Sequence, residues 1–139
     1  MYEESVIGLM EARSAMNMML DEALKQPERP VAIAVVDNRG SLVEFARMDG
    51  CRILPQQLAF KKAYTAAVMR NDTSAVAERF KTTGRSIRDM GDPDLVAVQG
   101  GVMIFNSTTD MFLGGIGVSG LAAEEDEALA LLGVKSIFS

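Results

Sequence analysis

Apolar residues recur at helical spacing from the start of the chain, at Val6, Leu9, Met10, Met16, Leu20 and Leu24, with Glu, Arg and Asn between them. The pattern predicts an amphipathic helix over residues 3–25, ended by the run Gln26-Pro27-Glu28-Arg29-Pro30. Residues 31–36 are all apolar and partly β-branched, which suits a strand covered on both faces. Asp37-Asn38-Arg39-Gly40 then reads as a turn, and residues 41–48 as the second strand of a hairpin. Pro55 fits the first turn of a helix over 55–70, whose Ala59, Ala63, Ala66 and Ala67 form a narrow stripe able to lie close on a sheet. Asp72-Thr73-Ser74 offers an N-cap for a shorter helix to about residue 81, followed by a break at Gly84 and a turn or short helix near 86–90. Residues 100–105 and 111–118 read as two further strands around a polar turn at 106–110. A last helix is expected over 122–132, stopping at Gly133. Helix, two strands, helices, two strands, helix, joined by hairpin-length connections, favours an α+β domain with an antiparallel sheet over a doubly wound parallel one.

Composition adds mainly exclusions. A length of 139 residues, 48% of them hydrophobic, is enough for a real core and fits one domain over 1–139. Nineteen acidic against fourteen basic residues give a net charge of −5 with no basic cluster, so nucleic acid and anionic membrane surfaces are not expected partners. Without a bilayer-length apolar run, and with Met1-Tyr2-Glu3-Glu4 in place of a basic leader, the chain is expected to be cytoplasmic. Its single cysteine, Cys51, has no intrachain disulfide partner, which agrees with a reducing compartment. The sharpest exclusion is histidine, of which there is none. Serine or cysteine triads that need an imidazole, His-ligated zinc and His-ligated haem are ruled out within the chain. Proton transfer is left to carboxylates, Lys, Tyr, Cys or water, and no metal site is predicted.

Three constellations carry candidate chemistry. In Arg47-Met48-Asp49-Gly50, strand alternation puts Arg47 on the face of Val43 and Phe45, so its guanidinium calls for a carboxylate, with Asp49 at hand, or for a bound anion. In Lys61-Lys62-Ala63-Tyr64, Lys62 lies beside the alanine stripe, either as a solvent-facing lysine or at a cleft rim where reduced solvation tunes it for anion binding or base chemistry. In Gly117-Val118-Ser119-Gly120, Ser119 either caps the final helix or joins backbone N–H groups aimed at an anion. The acidic run 124–127 favours the first alternative, since carboxylates in a first turn stabilise a helix by up to about 1 kcal/mol each. Gly100 and Gly101 bring the third strand in beside that turn, but no phosphate-loop or dinucleotide-binding pattern is present in its required setting.

These segments resemble, in order and spacing, the GlcG/HbpS family, also described as haem-degrading or DUF336 proteins and related to the carboxy-terminal domain of PduO-type proteins. The resemblance runs from the 31–37 strand and Arg47-Met48-Asp49-Gly50 through Lys62-Ala63-Tyr64-Thr65-Ala66 and Gly100-Gly101-Val102. It continues through Gly117-Val118-Ser119-Gly120 to Glu125-Asp126-Glu127 and Gly133. It implies a profilin-like α+β domain, usually a homo-oligomer, some of whose relatives bind haem or related tetrapyrroles. Two departures stand out: Met103 replaces a proline frequent in the family, and no histidine is available to serve haem, so Tyr2, Tyr64, Cys51 or a methionine would have to substitute.

The leading expectation is a small-molecule-binding protein taking haem or another acidic planar ligand in a pocket completed at a subunit interface, with Arg47, Lys62, Gly101, Gly117, Ser119 and Gly120 as binding residues. One alternative is a cofactor-independent enzyme of organic-acid catabolism (an isomerase, hydratase or hydrolase), with Lys62 or Asp49 moving the proton. Another is a structural oligomer.

Overall fold

A computed structural model describes residues 1–139. Helix α1 (Leu9–Ala23) is followed by strands β1 (Ala32–Asp37) and β2 (Leu42–Arg47), helices α2 (Ile53–Met69) and α3 (Thr73–Thr83), and a single 3-10 turn at Ile87–Met90. Strands β3 (Gly101–Asn106) and β4 (Met111–Ser119) and helix α4 (Ala123–Phe138) complete the chain. The four strands form one antiparallel sheet in the order β2-β1-β4-β3.

Period-two alternation divides the sheet into two unlike faces. Ile33, Val35, Val102, Ile104, Ile116 and Val118 point to one side, where α1 and α4 complete the larger core cluster. Ala32, Ala34 and Val36 point to the other, against Ala59, Ala63 and Ala67 of α2. Small residues on both partners let α2 lie nearly backbone to backbone on the sheet. A Cβ at Gly117 would collide with the Ala59 carbonyl, one at Gly115 with the Ala63 carbonyl, and one at Gly101 with the Lys62 carbonyl. The alanine stripe and the glycines of β4 are therefore two halves of one seam.

Three expectations need correction. The first helix starts at Leu9, not near residue 3: residues before Gly8 run as a strap, tied by Ile7 N donating to Leu113 O at 3.1 Å. The last helix passes through Gly133 to Phe138. Gly133 is a contact point, because a Cβ there would lie 2.6 Å from Met19 Sδ and 3.0 Å from Ile116 Cδ1. Asp72 stands at the N-cap of α3 without bonding to it, and its Oδ1 instead accepts from Met103 N at 2.9 Å, tying α3 to the sheet.

Candidate functional site

Strand register builds the site. Arg47 on β2 lies opposite Ala32 on β1, and Ala32 lies opposite Ser119 on β4. Residues directly opposite across antiparallel strands project to the same face, and Ala32 packs against α2, so Arg47 and Ser119 flank it on that face. Gly115 lies against Ala63 and Ala67, and Gly117 against Ala59 and Ala63. Two residues further along β4, Ser119 therefore stands beside the first turn of α2, around the buried Pro55.

Here the chain leaves polar groups unpaired. None of the five ion pairs includes Arg47, which is exposed, and the expected bridge to Asp49 is absent; Asp49 is exposed in the turn that follows. Ser119 is buried, and its hydroxyl has no hydrogen-bond partner within the chain. It does not cap α4 as expected: Ala122 holds that N-cap, Ala122 N donates to Glu125 Oε1 at 3.3 Å, and Leu121 N donates to Asp126 Oδ1 at 2.9 Å. The N-terminus of α2, at Arg52, has no side-chain cap. Burial pushes the Cys51 thiol up, while the nearby charges of Arg47 and Arg52 draw it down. Around these groups Ile53, Leu54 and Phe45 are uncovered, at 71%, 63% and 39% exposure. Exposed Arg47 and Arg52 and these apolar side chains thus share this end of the α2 face, an uncovered shelf.

Lys62 does not stand at the rim of a cleft. It is 2% exposed, and its Nζ donates to Val118 O at 3.0 Å and to Asp126 Oδ2 at 3.2 Å, inside the junction of α2, β4 and α4. Gly100 makes room for it, since a Cβ there would lie 2.7 Å from the ammonium. Burial raises the Asp126 carboxyl, against the opposing pull of the Leu121 N–H and the Lys62 ammonium. So placed, the Lys62 ammonium is taken up by partners within the chain and ties α2 to β4 and α4. Gly101 and Gly117 belong to the same packed seam, and Gly120 approaches the Pro30 carbonyl on the way into α4. Of the predicted binding residues, the structure thus brings Arg47, exposed, and Ser119, buried, to one row on the α2 face and encloses Lys62, Gly101 and Gly117.

The surface clefts lie elsewhere. One of about 560 Å³ opens between the end of α1 and the start of α4, and a more polar one lies beside the N-terminal strap, lined in part by Glu4, Arg70 and Asp110. No group of three or more Cys, Asp or Glu side chains is placed to hold a metal ion. No helix is long and apolar enough to cross a membrane.

Residues 7–135 match the family model described as haem degrading protein HbpS-like. The corrinoid adenosyltransferase PduO of Citrobacter freundii is 31% identical over 112 residues, covering 78% of this chain but 32% of the relative, so the chain spans about a third of that enzyme's length. A crystal structure of a Streptomyces reticuli HbpS double mutant superposes with a TM-score of 0.84 at 27% identity, over 97% of this chain and 89% of that one. A PduOC:haem complex superposes with a TM-score of 0.82 at 22% identity, over 94% of each chain, and shares the fold.

Proposed function

The chain belongs to the HbpS-like family, and from that premise we propose that it is a small-molecule-binding protein whose ligand is haem or another planar molecule with acidic groups at its edge. The observation that carries this reading is the row of Arg47, Ala32 and Ser119. There an exposed, unpaired guanidinium shares a face with exposed Phe45 and with a buried hydroxyl that has no partner within the chain. Carboxylates at a ligand's edge would be received by Arg47 and Arg52, with Ser119 and the uncapped first turn of α2 as further donors. The ring would lie over Phe45, Ile53 and Leu54. The haem bound by PduOC, a protein of the same fold, supports haem as the first candidate.

These residues fit the periphery of haem better than its iron. Without histidine, the thiol of Cys51 would be the group at this shelf to meet the iron. Recognition then rests on the carboxylates and the ring face more than on the metal. The exposure of Ile53 and Leu54 suits completion of the site by a second copy of the chain. Titration of the protein with haemin, followed in the Soret band, tests the reading. Saturable binding near one per chain is expected, weakened by about tenfold or more in Arg47→Ala, the worth of a lost charge-assisted hydrogen bond. Binding that is absent, or unchanged in Arg47→Ala, would refute it.

A further inference from the structure

The cleft between α1 and α4 is a concave site on the opposite face of the sheet from the shelf. Its floor is the main hydrophobic core: Val31 and Leu129, 0% and 5% exposed, line it together with Leu121, Ala128 and Leu132. Its volume of about 560 Å³ falls within the range of small-molecule sites. Its rim is charged, yet every charge there already has a partner. Arg29 makes two parallel bonds to Glu125, at 2.8 and 2.7 Å, and a third to Gln26 Oε1 at 3.3 Å, while Lys25 bonds Glu22 at 2.7 Å. Two cations and two anions thus cancel around the opening. An ionic ligand therefore meets no free counter-charge at this rim, because each cation and anion is already engaged. A neutral one would only displace water from apolar walls, which is favourable in proportion to the surface covered.

We infer that this cleft binds an uncharged, apolar small molecule, independently of the acidic ligand proposed for the shelf. The polar rim sets the depth of entry and the core residues supply the contact. The paired bonds of Arg29 to Glu125 tie the loop after α1 to the first turn of α4 at this rim.

Nile red, a neutral dye whose emission rises in apolar surroundings, tests this on the intact protein. Saturable binding at one dye per chain is expected, weakened at least about tenfold by Ala128→Trp, which fills the cleft from its exposed side, and unchanged in Arg47→Ala. Gln26→Trp fills the same cleft from the rim and serves if the first variant fails to fold. Haemin binding should survive both tryptophan variants, which separates this site from the shelf. Dye binding that is absent, insensitive to both variants, or lost as the chain dimerises would overturn the inference, the last by showing that a second copy covers the cleft.

Discussion

Lys62 joins three elements through one ammonium, since its helix is α2, its carbonyl acceptor is on β4 and its carboxylate partner on α4. Removing one member of a buried pair leaves the other charged and unpaired, at about 3–5 kcal/mol. Lys62→Met should therefore destabilise the protein by that order in urea denaturation. Lys62→Met with Asp126→Leu should recover most of the loss, short by about 1 kcal/mol for the Leu121 N–H that Asp126 also satisfies. Additive losses in the double variant would show that the two residues act separately. The sequence contained half of this arrangement. Lys62 was visible beside the alanine stripe, but its burial depended on a partner 64 residues away. That partner had a signal of its own: Asp126 precedes Leu129, Ala130 and Gly133 at helical spacing, so it sits on the buried side of α4 and needs a counter-charge. Arg47 was legible for the opposite reason, because alternation fixes its face whatever covers it.

Elements were read well wherever one period dominated. All four strands and the main helices follow the apolar pattern, and the misplaced end of the last helix falls where a glycine has a tertiary cause. Gly133 resembles a helix stop in sequence, but it lies where α4 crosses Met19 of α1, and only packing between distant segments explains it. The seam of α2 follows the same logic. Gly117→Ala would drive a methyl group into the Ala59 carbonyl, so it should cost about 3 kcal/mol, the upper end of overpacking penalties, and lower the thermal midpoint accordingly. An alanine tolerated there without loss would mean that α2 does not lie this close to the sheet.

The tie between α1 and α4 has a pH dependence that can be stated by sign. Arg29 holds the Glu125 carboxyl down to about 2, below its ordinary 4.5. A folded-state pKa below the unfolded one contributes stability that is full above about 4.5 and disappears as the pH falls toward about 2. Glu125→Gln should therefore be less stable than the parent at neutral pH and converge with it near pH 2, as read from thermal midpoints across that range. A constant difference at every pH would mean that the loss is one of packing.

At the scale of the whole molecule, the sheet separates two surfaces of different character. On the α1/α4 side the charges are paired around an apolar cleft, whereas on the α2 side Arg47 has no ion-pair partner and Ile53 and Leu54 are exposed. A single sequence could name Arg47 and Ser119 but could not show that they share a row, since that depends on the pairing of β1 with both of its neighbours. The central claim is that this row recognises the acidic edge of a planar ligand, and changing the ligand tests it more directly than changing the protein. Haemin and its dimethyl ester share the ring and the iron and differ in the carboxylates. Measured side by side by absorbance titration in the same detergent-free buffer, the free acid should bind and the diester should bind at least about tenfold more weakly. Equal affinity for the two would contradict the account, because it would mean that the ring or the iron, and not the charge received by Arg47, determines binding.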